Sequence, residues 1–247
     1  MQTNVHEIAD GVYRLSTTVP DAAPGGFMFN QYLITGGEPL LFHTGARQLF
    51  PLVAEAVGKV IDVTTLRWIS FGHVESDESG SMNQWLAAAP HSEVVFNPLG
   101  CMVSLNDLCD RPPRPSAGEP FDAGGHRLGV IPTPHVPHGW EAQVLFDETT
   151  RTLFCGDLFT RTGETAAIVH DADIVQPALD AEDVFGATAL TAQTGPTMRR
   201  LAALEPRTLA LMHGPAYAGD CTQALLDLAD AYDARFTSAL ETREVAA

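Results

Sequence analysis

The chain has 247 residues, a length typical of one α/β domain, and its 45% hydrophobic content is sufficient for a buried core. The net charge of −17 argues against nucleic acid and anionic membranes as partners, because both require a positive protein surface. No apolar stretch reaches the roughly 18 residues of a membrane span, and the start of the chain lacks the features of a signal peptide. We therefore expect one cytoplasmic domain over residues 1–247 that binds neither nucleic acid nor membrane.

The apolar pattern predicts strands and helices that alternate along the chain. In the first half, strands are predicted over residues 11–19, 27–34, 39–43, 66–71 and 93–96. Helical spacing predicts helices over residues 47–60 and 80–89, and a helix or turn over residues 98–108. Strands separated by helices over one continuous core are typical of an α/β sandwich.

The second half continues this pattern after a proline-rich segment, residues 111–115, which we interpret as a rigid loop. Strands are predicted over residues 127–131, 143–146, 152–155 and 208–212. Two helices are predicted, over residues 180–203 and 220–240.

Four polar clusters each follow a predicted strand. They are His73-Val-Glu75-Ser-Asp77-Glu78, His135-Val-Pro-His138, Asp157 and His213-Gly214. Ligand-binding loops collect at strand ends of α/β frames, so the four clusters together predict one convergent metal site. Scattered surface polar residues would explain any one cluster, but they explain all four poorly.

The spacing of His73-x-Glu75-x-Asp77 has a physical meaning. In an extended or loosely coiled segment every second side chain projects to one side, so three ligands can reach one small volume. Imidazole with carboxylate suits zinc, iron or manganese, and an additional carboxylate favours the harder ions. The absence of cysteine from these clusters argues against copper(I) and against a structural zinc site.

The motif order HxExD, His, Asp and His-Gly resembles the metallo-β-lactamase superfamily. Residues 29–34 and 41–45 fit the opening strands of that superfamily. The resemblance implies a four-layer αββα sandwich with metal ions at one edge. Hydrolases of the superfamily usually carry HxHxDH, whereas here Glu75 and Glu78 replace the second and the last histidine. A glutamate at the second histidine is typical of the flavodiiron proteins and the related oxygen-binding diiron proteins.

The resemblance also implies a ligand set. His73, Glu75 and a central histidine would hold one metal ion, with Asp157 bridging to the other. Asp77 and His213 would complete the second position.

The central histidine and the remaining histidines require separate interpretations. We favour His138 as the central ligand because it fits the superfamily spacing without a gap, and we keep His135 as a supporting or alternative ligand. His43 stands where hydrolases often carry aspartate, and we expect it to orient a ligand or a loop. The histidines without clustered partners are expected at the surface: His6, His91, His126 and His170.

The resemblance implies a non-haem diiron protein with two iron ions that binds and reduces dioxygen, or nitric oxide, as an oxygen binder, a sensor or an oxidoreductase. No flavin is expected within this chain, so electrons would come from an external flavoprotein or a rubredoxin-like donor. Family members often pair as homodimers, which makes a homo-oligomer the expectation. The alternative is a dizinc hydrolase of an ester, thioester or phosphodiester. A scaffold that only mediates interaction is a third reading, disfavoured because all six ligand positions are present.

Overall fold

The computed structural model describes residues 1–116 and 118–245, with side chains described through residue 241. The described residues form two seven-stranded mixed sheets. The first sheet contains β1 to β7 in chain order: Thr3–Ala9, Val12–Val19, Phe27–Ile34, Leu40–Phe42, Trp68–Ser70, Glu93–Phe96 and Arg114–Pro115. Strands β1 to β4 pair antiparallel, and β4 to β7 pair parallel.

The second sheet has the strand order β12-β14-β13-β11-β10-β9-β8. Its members are β8 to β14: Phe121–Asp122, Arg127–Pro132, Gln143–Asp147, Thr152–Phe154, Ile168–Val169, Thr208–Ala210 and Ala216–Tyr217. Strands β8 to β11 pair antiparallel, whereas β11 and β13 pair parallel.

The described part contains eight α-helices. They are α1 to α8: Phe50–Val57, Ser76–Ser79, Met82–Ala88, Pro98–Gly100, Asn106–Leu108, Val175–Phe185, Thr194–Ala202 and Cys221–Val245. The π-helical segment Cys101–Leu105 joins α4 to α5, and a 3-10 turn covers Val63–Thr65. Asp62 begins that turn, because its side chain accepts a hydrogen bond from Thr64 N.

Three apolar interfaces separate four layers. The first packs α1 and α3 on the outer face of the first sheet, with Trp85 and Leu86 buried there. The second joins the inner faces of the two sheets, where Tyr32 and Phe42 meet Phe154. The third packs α6, α7 and α8 on the outer face of the second sheet. The αββα sandwich predicted from the sequence is therefore confirmed.

Several elements differ from the sequence-based predictions. Strand β1 was not predicted, although it pairs with β2 over its whole length. The helix predicted over residues 180–203 is two helices, because Gly186 adopts a left-handed φ of 57° and ends α6. The proline-rich segment predicted as a loop adds the edge strand Arg114–Pro115 to the first sheet. Asp77 lies in the short helix α2 and residues 72–74 form a bend, so the HxExD segment is not extended over its length, although Glu75 itself has an extended backbone.

The prediction for His126 was wrong. This histidine is buried, and its Nδ1 lies 2.8 Å from Asp147 Oδ2. The other three histidines predicted at the surface, His6, His91 and His170, are exposed. None of the helices in the described ranges combines the length and the apolarity needed to cross a bilayer.

Candidate metal centre

The predicted ligands lie in four loops at one edge of the sandwich. His73 follows β5, His138 follows β9, Asp157 follows β11 and His213 follows β13. Glu75 is in extended conformation immediately before α2 and is the residue from which that helix begins. Since strands of both sheets end here, the loops that follow them can reach a common volume.

Two histidines and two carboxylates form one group of converging atoms, all within 4.8 Å of one another: His73, Glu75, His138 and Asp157. His73 Nε2 lies 2.9 Å from Glu75 Oε2 and 3.0 Å from His138 Nε2. Asp157 Oδ2 lies 3.7 Å from His73 Nε2 and 3.4 Å from His138 Nε2. Two nitrogen and two oxygen donors that face one volume are typical of the ligand set of a divalent ion.

A second group forms on the other side of Asp157. His213 Nε2 lies 3.2 Å from Asp157 Oδ1 and 3.3 Å from Asp77 Oδ2. The two oxygens of Asp157 therefore face different groups, the arrangement expected of a bridging carboxylate. Its buried Oδ1 accepts no hydrogen bond among the described residues, although buried carboxylate oxygens normally have a partner. A cation between the two groups would satisfy this atom.

Electrostatics couple the imidazoles to the carboxylates. Burial alone would raise the pKa of Asp157, but the close contact with the His213 ring lowers it to about 2. Burial alone would lower the pKa of His213, but Asp157 and Asp77 raise it to about 10. Burial also opposes protonation of His73, yet the neighbouring carboxylates, Glu78 foremost, raise its pKa to about 12. Without a metal ion, protons hold these groups together, and a bound cation would displace them.

Glu75 points its carboxylate into the first group although its side chain is half exposed. Hydrogen bonds, first from His138 and then from His73, lower the pKa of Glu75 despite partial burial. The same contact with Glu75 raises the pKa of His138. The carboxylate at the position where hydrolases carry a second histidine therefore belongs to the cluster.

His135 and His43 occupy different surroundings. The side chain of His135 is exposed, and the converging group contains His138 instead. His43 is fully buried, with Nδ1 3.2 Å from Asn30 O and Nε2 3.4 Å from Glu78 Oε1. His43 thus faces Glu78 and a strand backbone.

The loop that carries His213 is held by side chains that sequence reasoning missed. Asn30 Nδ2 donates to Leu211 O and to Gly214 O, each at 2.8 Å. Tyr32 OH also donates to Leu211 O at 2.7 Å, and Arg14 donates to Gly214 O at 2.9 Å. The available signal was polar residues at buried positions of otherwise apolar strands.

A cavity of about 450 Å³ opens onto the cluster. Its lining includes Glu75, Asp77, His138, Asp157 and His213. Its walls are mainly apolar: Phe27, Leu158, Phe159, Ala178, Ala181 and Phe185. The Phe27 ring lies 4.3 Å from the His213 ring, centroid to centroid, so this aromatic side chain packs directly against a predicted ligand.

Comparison with known proteins identifies similar domains. One curated relative is a protein of Nostoc sp. PCC 7120 that carries the name diflavin flavoprotein A 6. It is 27% identical to this chain over 151 residues, which cover 59% of this chain and 26% of the relative. The chain thus spans about a quarter of the length of the curated relatives it matches first.

Several solved structures share the fold, and two of them illustrate the similarity. Rubredoxin oxygen:oxidoreductase from Desulfovibrio gigas superposes with a TM-score of 0.80 at 17% identity, covering 93% of this chain and 62% of that one. The metal-soaked Flv1 flavodiiron core from Synechocystis sp. PCC6803 superposes with a TM-score of 0.78 at 20% identity, covering 96% and 61%.

The family model described as ODP family beta lactamase matches residues 27–214, a range that contains all six predicted ligands. The match extends from β3 to the His-Gly pair after β13. The chain therefore belongs to the ODP family of metallo-β-lactamase-like domains, related to the diiron domain of the flavodiiron proteins.

Proposed function

We propose that this chain is a non-haem diiron domain that binds dioxygen, or nitric oxide, and reduces it with electrons from an external donor. The observation that carries the proposal is the position of Glu75, whose Oε2 lies 2.9 Å from His73 Nε2 and 3.6 Å from His138 Nε2. A third carboxylate beside Asp77 and Asp157 adds negative charge and hard oxygen donors, which favour iron over a zinc hydrolase site.

His73, Glu75 and His138 would hold one ion, Asp77 and His213 the other, and Asp157 would bridge them. Two bound iron ions would supply redox electrons and open coordination positions for a diatomic molecule. The chain's own residues orient the side chains that would bind the ions. His213 Nδ1 lies 2.8 Å from Met28 O, so the ring is fixed with Nε2 towards Asp77 and Asp157.

The apolar walls of the cavity support the same proposal. Phe27, Leu158 and Phe159 line the approach to the ligands and keep part of it free of hydrogen-bonding groups. Dioxygen and nitric oxide are small and weakly polar, so such walls favour their entry and limit the access of water. The name of the Desulfovibrio gigas relative suggests a rubredoxin-like donor for this chain as well, with a flavoprotein as the other candidate.

Metal analysis under anaerobic conditions tests the proposal. We expect two irons per chain after reconstitution with ferrous iron, a new visible charge-transfer band on exposure to air, and oxygen consumption once an electron donor is added. Two zinc ions, an unchanged spectrum and esterase activity would instead identify a dizinc hydrolase.

The variant Glu75→His tests the observation that carries the proposal. Replacing the carboxylate by imidazole removes a hard ligand, so we expect weaker iron retention, loss of the air-dependent band and improved zinc-supported hydrolysis. The matched control is Glu55→His, which changes an exposed glutamate of α1 and leaves the cluster intact. Equal iron content and an equal oxygen response in Glu75→His would refute the role given to Glu75.

A further inference from the structure

Glu78 is a fully buried carboxylate beside the proposed ligands, outside the converging group. Its Oε2 accepts hydrogen bonds from the backbone N–H groups of Gly72, at 2.5 Å, and His73, at 2.7 Å. Its Oε1 has no hydrogen-bond partner among the described residues. A buried carboxylate oxygen without a hydrogen bond destabilises the folded state, so the groups around Glu78 Oε1 need an explanation.

The unpartnered oxygen faces two imidazoles. Glu78 Oε1 lies 3.4 Å from His73 Nδ1 and 3.4 Å from His43 Nε2. His73 therefore has a carboxylate on each side, with Nε2 facing Glu75 and Nδ1 facing Glu78. In metal sites a carboxylate often accepts a hydrogen bond from the ring nitrogen that does not bind the ion. This keeps the proton on that nitrogen and leaves the other nitrogen free to bind the ion.

The absence of a side chain at Gly72 leaves room for the Glu78 carboxylate to lie close to the backbone. A Cβ atom at Gly72 would lie 2.8 Å from Glu78 Oε2 and 3.0 Å from Oε1, so any larger residue there would push the carboxylate away. His43, at a φ of 64°, lies behind Glu78 and is itself held against Asn30 O.

We propose that Glu78 is a positioning residue that fixes His73 with Nε2 towards the metal position, and that His43 in turn fixes Glu78. Hydrolases of the superfamily use the residue at this place as a ligand of the second ion. Here Glu78 Oε2 faces the backbone of Gly72 and His73, and Oε1 faces Nδ1 of His73. Glu78 therefore acts on the metal position held by His73 instead. This inference rests on the metal site proposed above.

The test compares the wild type with Glu78→Gln, which keeps the size of the side chain and removes its charge. Both proteins are loaded with Zn²⁺, and the two dissociation constants are measured by competition with a chromophoric chelator. We expect two ions in each protein, with the affinity of one position reduced about 10- to 100-fold in the variant. In the zinc-loaded proteins, long-range ¹H–¹⁵N spectra should show the His73 Nδ1–H proton at a larger chemical shift in the wild type, where it faces the charged Glu78, than in the variant.

Two further variants test the same contact, so that the conclusion does not depend on whether Glu78→Gln folds correctly. Gly72→Ala displaces the carboxylate without changing its chemistry and should reproduce both effects. Glu78→Gln combined with His43→Gln should weaken binding no more than Glu78→Gln alone, because His43 acts through Glu78. Glu55→Gln is the matched control, since that glutamate is exposed in an i,i+4 pair with Lys59, and its affinities should equal those of the wild type.

The outcomes separate the two proposals. If the wild type takes up no metal ion, the proposed function and this inference both fail. If the wild type binds two ions and Glu78→Gln has the same affinities and the same His73 Nδ1–H chemical shift, only the inference fails. A change in the His213 signals, with His73 unchanged, would identify Glu78 as a ligand of the second ion and also overturn the inference.

Discussion

At the scale of single residues, an imidazole–carboxylate pair also stabilises the turn between two strands away from the metal cluster. Asp147, at the end of β10, contacts His126 Nδ1 and accepts hydrogen bonds from Thr149 N at 3.0 Å and Thr150 Oγ1 at 2.6 Å. Burial alone would raise the pKa of Asp147, but the bonds from His126 and Thr150 lower it. The charged carboxylate therefore stabilises the native state.

The variant Asp147→Asn should lower the free energy of unfolding by about 1 to 3 kcal/mol at neutral pH, the usual cost of losing hydrogen bonds to a charged group. A carboxyl group with a lowered folded-state pKa stabilises the protein above its unfolded pKa of about 3.9, and this contribution disappears as the pH falls through the folded value. The difference from wild type should therefore be constant above about pH 5 and shrink in acid.

Urea unfolding across this pH range measures that difference. The control is Asp10→Asn, which changes an exposed aspartate and should leave the unfolding free energy unchanged at every pH. A loss in Asp147→Asn that is the same at acidic and neutral pH would show that packing, and not the carboxylate charge, carries the effect.

At the scale of secondary-structure elements, the inner strands of the first sheet fix a loop of the second sheet. Asn30 of β3 binds two carbonyls on either side of His213, Leu211 O and Gly214 O. The backbone N–H of Asn30 also donates to Met212 O at 3.0 Å. Correct placement of one predicted ligand thus depends on contacts between the two sheets.

The variant Asn30→Ala should lower the unfolding free energy by about 2 kcal/mol, because it removes two buried hydrogen bonds to carbonyls that keep only Tyr32 and Arg14 as side-chain donors. It should also weaken metal binding at the position formed by Asp77 and His213, while the position of His73 keeps its affinity. Chelator competition and urea unfolding on the same samples measure both effects.

The matched control is Thr35→Ala, which removes a hydrogen bond from the end of the same strand region to Gly11 O, away from the cluster. It should lower the unfolding free energy without changing either metal affinity. Equal loss of both metal affinities in Asn30→Ala would mean that Asn30 supports the whole edge of the sandwich and not the His213 loop in particular.

At the scale of the whole molecule, the predicted ligands come from loops of both sheets. His73 follows a strand of the first sheet, whereas His138, Asp157 and His213 follow strands of the second. A metal ion bound between them would connect the two halves of the sandwich. Because the unfolded chain lacks this geometry, binding should stabilise the native state.

We expect zinc or ferrous iron at about 100 times its dissociation constant to raise the unfolding free energy by about 2.7 kcal/mol for each ion bound. For a chain of this size that corresponds to an increase in Tm of about 2 to 4 °C per kcal/mol. Calorimetry with and without a chelator measures the shift. Tight binding without any rise in Tm would contradict a site that joins both sheets.

Much of the fold was predictable because its signals are local. Alternating apolar residues identified the central strands, and the strand-end position of each polar cluster identified the loops that meet. Strand β1 and the edge strand Arg114–Pro115 escaped prediction because pairing with distant strands, and not their own pattern, makes them strands. The break between α6 and α7 depends on the left-handed conformation of one glycine, Gly186.

The sequence by itself identified the four segments that contribute to the candidate site, since ligand type and spacing can be read along the chain, but it left His135 and His138 as alternatives. Only the tertiary structure decided what surrounds them: the burial of His126 against Asp147, the support of His213 by Asn30, and the direction of the Glu78 carboxylate. These contacts join residues from separate elements. Whether a polar side chain is a ligand, a support for one or a solvated surface group depends on those partners, which one-dimensional spacing does not specify.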